Sequence, residues 1–263
     1  MNKLQVLVAT MHQNDYSLSQ QMNIKTDAII VNQCDRNLIE EYEENGNKIA
    51  WFSLAERGVG LNRNTSLLRA TGDILLFSDD DIVYYDNYEE IILSEFKKHP
   101  EADIIAFNFV SLNKDRPSSY IKKGHKLTWY NCLKYGTFRI AVRRDAIFKN
   151  NIFFSLLFGG GAKYQSGEDS LFITQCLKKG LKGYASKEFL GTVCHNESTW
   201  FKGYTEKYYH DKGALYTAIY GKWMILFTLM IELKNLRNKN SFTFFKRLKL
   251  YLAGAKVFKS RNV

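Results

Sequence analysis

The amino-acid sequence predicts an α/β fold, in which a mixed, mainly parallel sheet is flanked by helices and followed by a C-terminal helical extension. Short apolar runs, which are typical of strands buried on both faces, alternate along the chain with segments of helical character. Acidic or glycine-rich sequences follow several of these runs, where open α/β sheets bind ligands. The 263 residues suffice for one large domain with an extension.

The length and spacing of the apolar residues separate the predicted strands from the predicted helices. Strands are expected at Leu4–Ala9, Asp27–Asn32, Lys48–Leu54, Asp73–Ser78, Asp103–Val110, Thr137–Arg143 and Phe189–Cys194. Helices are expected at Asn37–Asn45, Leu61–Ala70, residues 86–98 and Glu168–Lys179. Gly46 is expected to end the first helix, and Asp86 with Glu89 to form a capping box for the third. The polar, basic segment 111–131 is predicted to be a functional loop.

The composition excludes several classes of protein. With 45% apolar and 24% charged residues, the chain is neither collagen-like nor disordered. The four cysteines are scattered without a CxxC pair, which argues against a zinc ribbon and favours reduced thiols in the cytoplasm. The N-terminus lacks a signal-peptide pattern, and the longest apolar run, Trp223–Ile231, is too short to cross a bilayer.

The net charge of +10 is concentrated at the C-terminus. Residues 222–263 contain ten Lys or Arg and one acidic residue, so we expect a domain at residues 1–221 and a basic tail at 222–263. Because a nucleic-acid-binding fold more often carries its charge on the core module, no nucleic-acid partner is expected. Apolar residues recur in the tail at helical spacing: Phe244, Phe245, Leu248, Tyr251, Leu252 and Ala255. Two interpretations stay open, an amphipathic helix on an anionic membrane or a helix packed on the domain.

Three consecutive carboxylates, Asp79, Asp80 and Asp81, follow the predicted strand Asp73–Ser78. Adjacent carboxylates repel one another unless they are solvated or neutralised by a cation. Their oxygens suit Mg²⁺ or Mn²⁺, which usually also take oxygens from substrate phosphates. A solvated acidic turn is the alternative.

Three further motifs accompany the aspartates. A glycine-containing segment, 58–64, carries Arg63, which can pair with a phosphate or with one of the aspartates. Three glycines, 159–161, precede Glu168 and Asp169 at the start of a predicted helix, where acids are also favoured as simple N-terminal residues. His195 follows the last predicted strand, and a lone histidine is more often structural than a ligand.

In this order the motifs resemble the inverting glycosyltransferases of family two, which have the GT-A fold and include enzymes of bacterial cell-surface polysaccharide synthesis. The resemblance covers roughly residues 4–200 and rests on Arg63 and Asn64, the strand that ends in Asp79–Asp81, the Glu168–Asp169 pair and His195. It implies a metal-dependent transfer of a sugar, with inversion, from a nucleotide-diphosphate donor to an acceptor hydroxyl.

The resemblance also implies the role of each residue. Asp169 is the expected catalytic base, and Asp79, Asp81 and His195 are the expected ligands of Mn²⁺ or Mg²⁺. The expected donor and nucleotide residues are Thr10, Asp35, Arg63, Asn64, Asp79 and Asp80. The expected acceptor and sugar pocket consists of Gly160, Gly161 and Glu168.

Two departures from the family pattern leave the nucleotide open, although a UDP-sugar is favoured. The first strand ends in Ala9–His12 where the family has Pro-Thr-x-Asn, and residues 32–35 replace an Asp-rich loop. Asp80 with Asp81 is an alternative metal-binding pair. The expected acceptor is a glycan or a lipid-linked oligosaccharide, reached from the cytoplasmic face of the membrane. A non-catalytic nucleotide-sugar-binding protein with the same fold is the alternative function.

Overall fold

Ten β-strands form one mixed sheet in the computed structural model, which describes residues 2–114, 119–194, 203–234 and 242–260. The strands are β1 (Leu4–Met11), β2 (Asp27–Gln33), β3 (Leu38–Glu44), β4 (Asn47–Leu54), β5 (Ile74–Asp79), β6 (Ile82–Tyr84), β7 (Ile104–Ser111), β8 (His125–Leu127), β9 (Ile140–Arg143) and β10 (Gly183–Val193). Their order is β3-β4-β2-β1-β5-β9-β7-β10-β6, and β8 pairs with the other end of β10. All seven predicted strands are present, with ends shifted by three residues or fewer, except that β10 begins at Gly183, six residues before the predicted Phe189.

Two blocks of parallel strands make up most of this sheet. Strands β4, β2, β1 and β5 run parallel to one another, as do β7 and β10. β9 lies between the blocks and is antiparallel to both β5 and β7. In the first block, Ala9 is opposite Asp79 and Thr10 is opposite Asn32. The polar residues that end these strands therefore meet at one edge of the sheet, and the predicted mixed, mainly parallel sheet is confirmed.

Helices cover both faces of the sheet. The described part of the chain contains eight α-helices: α1 (Leu18–Gln21), α2 (Val59–Arg69), α3 (Tyr88–Lys98), α4 (Arg144–Lys149), α5 (Glu168–Lys178), α6 (Glu206–Tyr220), α7 (Met224–Lys234) and α8 (Phe244–Lys259). Leu18 of α1 and Phe96 of α3 belong to one apolar core, on one face. Leu67 of α2, Ile147 of α4 and Phe172 of α5 belong to the core on the other face. The two-sided burial explains why the central strands read as continuous apolar runs.

The helix predicted at Asn37–Asn45 is wrong, because this segment forms β3, the antiparallel edge strand beside β4. Asn45 and Gly46 connect the two strands with φ values of 50° and 81°. Those positive values at both central residues define the two-residue hairpin turn that Asn-Gly favours. The run of glutamates suggested a helix, but the Asn-Gly pair was the stronger local signal.

Two further expectations also need correction. Asp86 does not cap α3, because the residue that flanks this helix at its N-terminus is Asn87. Asp86 Oδ1 instead accepts hydrogen bonds from Asn23 and Lys25. The segment 111–131 is not a loop throughout, because β8 lies within it. Its residues 115–118 lie outside the described part of the chain.

The last three helices pack beside the sheet rather than on it. α6 contacts α5, α7 and α8, and its Ala214 and Leu215 form a third apolar cluster with Phe158. Gly213 of α6 faces the Tyr251 backbone of α8 so closely that no Cβ atom would fit. In the predicted apolar stripe, Tyr251 and Ala255 are buried, Phe244 and Leu248 are half-buried, and Phe245 and Leu252 are exposed. The division of the chain at residue 221 stays a prediction.

Candidate active site

The carboxyl ends of β1 and β5 bring Thr10 and the aspartate triplet together. The Thr10 hydroxyl is buried and donates a hydrogen bond to Asp80 Oδ2 at 2.5 Å. The Gln13 side-chain amide donates to the same hydroxyl at 2.9 Å. Burial raises the pKa of Asp80, and the charge of Asp79 adds to this effect while the Thr10 hydrogen bond opposes it. Asp80 is thus turned towards β1 and held there.

Arg63 of α2 is the electrostatic centre of the site. Its Nη2 donates to Asp79 Oδ1 at 2.8 Å, and its Nη1 donates to Asp169 Oδ1 at 2.9 Å and to Glu168 Oε1 at 3.0 Å. The guanidinium side chain is only 5% exposed. Burial alone would lower the pKa of Arg63, but the surrounding carboxylates raise it. One planar fork therefore joins the end of β5 to the start of α5.

The two acids at the start of α5 differ in environment. Glu168 is buried, with 11% of its side chain exposed, whereas 32% of the Asp169 side chain is exposed. Burial and the adjacent Asp169 raise the pKa of Glu168 to about 8. Burial opposes ionisation of Asp169, but Arg63 and hydrogen bonds from Glu168 and Thr137 lower its pKa below the ordinary value. At neutral pH Asp169 is therefore the ionised member of the pair.

The predicted glycine run lies against Glu168 and the start of α2. Gly159 has a φ of 109°, and a Cβ atom there would lie 2.8 Å from Glu168 Oε2. The Gly160 carbonyl accepts a hydrogen bond from the Val59 N–H at 2.9 Å, and Gly161 is exposed. At Gly159 the backbone therefore passes directly over the Glu168 carboxyl group, which a side chain would obstruct.

Two predicted donor residues lie elsewhere or are already engaged. Both polar atoms of the Asn64 side-chain amide bind the Phe154 backbone, at 2.8 and 2.9 Å, so that this side chain anchors the chain after α4. Asp35 is exposed just beyond β2. The neighbouring Cys34 carbonyl accepts a hydrogen bond from Arg57 at 2.6 Å, which ties the loop before α2 to this end of the sheet.

The predicted metal ligands are described only in part. Asp79 lies at the end of β5, and the Asp81 carbonyl accepts a hydrogen bond from the Cys194 N–H at 3.0 Å. His195, the next residue, lies outside the described part of the chain. The described residues contain no group of three or more His, Cys, Asp or Glu placed to hold a metal ion. Asp79 and Asp81 nevertheless fit Mg²⁺ or Mn²⁺, because such ions commonly take one or two carboxylates and complete their shell with substrate phosphates and water.

Sequence reasoning missed two residues at the acidic pair. The Thr137 hydroxyl donates to Asp169 Oδ1 at 2.9 Å. Lys212 of α6 interacts electrostatically with Glu168 and Asp169, although burial lowers its pKa. A lone threonine before a strand carries no local signal. Lys212 becomes visible only once α6 is packed, with Leu215 of the next turn lying against Gly167.

A mixed sheet of this topology, with carboxylates at the end of β5 and at the start of α5, is typical of glycosyltransferases with the GT-A fold. Residues 3–153 match the family model described as glycosyl transferase family 2. This match spans more than half of the chain, which therefore belongs to glycosyltransferase family 2. A search of curated protein sequences gives no match.

Solved structures support the same fold. S. aureus TarS 1-349 in complex with UDP-GlcNAc has a TM-score of 0.67 and 16% identity, over 97% of this chain and 80% of that chain. S. aureus TarS 1-349 has a TM-score of 0.60 and 17% identity, over 99% of this chain and 73% of that chain. The complex of S. aureus TarS 1-349 with UDP has a TM-score of 0.61 and 17% identity, over 83% of this chain and 66% of that chain. At these identities the likeness shows the fold alone.

Proposed function

We propose that this glycosyltransferase moves a sugar from a UDP-sugar to a hydroxyl of a glycan or lipid-linked oligosaccharide, with inversion. The observation that carries the proposal is the bridge from Asp79 through Arg63 to Asp169. Arg63 is buried between two carboxylates. Asp79 is suited to a cation that binds the donor, and Asp169 is an ionised base. The UDP and UDP-GlcNAc complexes among the similar structures favour a uridine nucleotide.

Asp169 is the base in the proposed reaction. The acceptor oxygen forms a bond to the anomeric carbon while the bond from that carbon to the diphosphate oxygen breaks. The acceptor proton passes to the Asp169 carboxylate, and the nucleoside diphosphate leaves. Attack on the face opposite the leaving group inverts the anomeric centre. Thr137 and Arg63 orient the carboxylate, and its partial exposure leaves it accessible to an acceptor.

The low pKa of Asp169 is compatible with this role. A hydroxyl becomes a much stronger acid as its oxygen bonds to the sugar carbon, so a weak base suffices late in the step. Arg63 also keeps Asp169 charged while Glu168 retains its proton near neutral pH. The pair therefore supplies a single negative charge next to the acceptor, rather than two that repel each other.

Asp79 and Asp81 are the proposed holders of a divalent cation, with His195 as a further ligand. When bound, the ion neutralises the charge that grows on the leaving diphosphate. The Thr10 hydrogen bond and the raised pKa of Asp80 favour the Asp79–Asp81 pair over the Asp80–Asp81 pair.

A panel of nucleotide sugars with Mn²⁺ or Mg²⁺, read as release of nucleoside diphosphate, tests the proposal. Asp81→Ala should abolish metal-dependent release. Asp169→Asn should lower transfer by about 10²-fold or more, as for loss of a general base. It should keep donor binding, measured as thermal stabilisation by nucleoside diphosphate plus metal. The control is Asp145→Asn, since that side chain is 92% exposed and remote in sequence from the motifs. A fully active Asp169→Asn enzyme would disprove the assignment of the base.

A further inference from the structure

Helix α7 has the opposite polarity to an ordinary surface helix. It buries Met224, Thr228 and Glu232, which are spaced four residues apart. Two of these three buried side chains, those of Thr228 and Glu232, are polar. The opposite side is apolar and exposed; we call it the α7 face, and it consists of Trp223, just before the helix, with Leu226, Met230 and Leu233. At 100° per residue, the two sets lie on opposite sides of the helix axis.

Buried polar contacts fix this orientation. Glu232 accepts a hydrogen bond from the Tyr251 hydroxyl at 2.8 Å and another from Arg247 Nε at 2.8 Å, both on α8. The side chains of Glu232 and Arg247 are each 5% exposed. Rolling α7 to hide its apolar face would carry Glu232 to the surface and leave the Arg247 guanidinium buried without its carboxylate, which is very costly. The α7 face therefore stays outward.

The exposed apolar surface is large. On the α7 face, Trp223 is 57% exposed, Leu226 50%, Met230 44% and Leu233 62%. Contiguous apolar surface of this kind marks an interaction site in a soluble protein. Among the described residues, nothing packs over these side chains sufficiently to bury them.

Lysines lie beside one end of this surface, where Lys222 Nζ is 5.6 Å from the centre of the Trp223 ring. A groove of about 460 Å³ between the start of α7 and the end of α8 has Ile225 and Leu252 in its lining, together with Lys222, Lys256 and Lys259. All three lysines are exposed. Apolar side chains bordered by ammonium groups match the boundary between acyl chains and anionic headgroups.

We propose that the α7 face docks on a bilayer surface rich in anionic phospholipid, with its apolar side chains below the headgroups and the lysines beside the phosphates. The contact is with the surface and does not cross the bilayer. The segment Glu206–Leu233 is long and apolar enough to span by composition, but Gly221 interrupts it with a φ of 55°, and α6 packs against α5 and α8. This goes beyond the proposed reaction and does not depend on it.

Co-sedimentation of the full chain with vesicles tests the proposal. Binding is expected to vesicles of phosphatidylglycerol with phosphatidylcholine, and little to phosphatidylcholine alone. Leu226→Gln with Met230→Gln should weaken binding at least tenfold. Ile39→Gln with Leu68→Gln is the matched control, since those side chains are 60% and 58% exposed but lie on β3 and α2.

The lysines have a separate test. Lys256→Gln with Lys259→Gln should weaken binding to anionic vesicles by about thirtyfold, since each lysine near such a surface contributes roughly a factor of five. Brominated lipid should quench a smaller fraction of the tryptophan fluorescence in Trp223→Phe than in the wild type.

Two results would overturn the proposal. One is unchanged vesicle binding by the Leu226→Gln, Met230→Gln variant. The other is a wild-type protein that does not bind vesicles but forms a dimer, while the Leu226→Gln, Met230→Gln variant is monomeric. The α7 face would then bind a second copy of the chain. Thermal stabilisation by nucleoside diphosphate is measured alongside, so failure of membrane binding is distinct from failure of the proposed reaction.

Discussion

Replacing Arg63 by methionine should both destabilise the protein and inactivate it. The substitution keeps an unbranched apolar stem and removes the cation that Asp79, Glu168 and Asp169 share. Breaking a buried ion pair costs about 3–5 kcal/mol. Asp79 and Asp169 are about one-third exposed, so water compensates part of their loss, and we expect the lower end, about 3 kcal/mol. For a chain of this size that is a fall in Tm of roughly 6–12 °C.

The loss should depend on pH in a defined direction. Arg63 lowers the pKa of Asp169 in the wild type, so without Arg63 this carboxylate takes up a proton at a higher pH. The difference in Tm should therefore shrink as the pH falls from 7.5 to 5. Thermal unfolding followed by circular dichroism across this range measures it, with Arg144→Met, which removes a largely solvated ion pair, as control.

A conservative variant separates charge from geometry. Arg63→Lys restores a positive charge but lacks the planar guanidinium, whose separate nitrogens Nη1 and Nη2 hold Asp169 and Asp79. It should recover part of the Tm and little of the transfer activity. An Arg63→Met protein with the Tm of the wild type at pH 7.5, or with a deficit that does not change with pH, would refute this account of the site.

Three more predictions follow from the packing and the titrating groups. The Glu168 pKa of about 8 exceeds its ordinary value of 4.5, so the folded chain binds the extra proton and loses stability as pH rises from about 4.5 to 8; Glu168→Gln should flatten this slope in Tm measurements. Thr137→Val should raise the pKa of Asp169 and shift the acidic limb of the pH–rate profile to higher pH. It should also lower kcat by about threefold to tenfold, which corresponds to the free energy of one hydrogen bond. An unchanged pH–rate profile would contradict the positioning role of Thr137. Gly213→Ala should cost about 2–3 kcal/mol in denaturant unfolding, since its Cβ would strike the α8 backbone. Gly180→Ala, where a Cβ meets no neighbour within 4 Å, should cost less despite its positive φ.

The sequence predicted the parts of the fold that depend on local apolar spacing. The central strands and the helices α2 and α5 occur where their patterns place them, because burial on both faces leaves continuous apolar runs. β3 was misjudged because four glutamates favour a helix in isolation, whereas pairing with β4 decides the matter. The antiparallel direction of β9 has no local signal at all, since it depends on the chain path through α3 and β7.

The candidate site was predictable where its residues follow strands or begin a helix. Asp79 and Asp169 were identified from such positions, and the structure brings both to Arg63. Asn64 shows the limit of motif reasoning, since its amide is committed to the backbone of Phe154. Lys212 lies well beyond the motifs and reaches the acidic pair only through the packing of α6, which no pattern in the chain revealed.

Strand β9 gives the sheet a mechanical seam. Among the described strands, the only backbone pairing between the β1–β5 side, with Thr10 and Asp79, and the β7–β10 side is that of this short strand. A sheet joined through so short a strand can open in two cooperative units. Slow amide exchange in β1 and β10 combined with faster exchange in β9 would locate the seam. Arg63 binds Asp79 at the end of β5 and Asp169 at the start of α5. It would therefore hold these two carboxylates in their relative positions while the pairing of β9 opens.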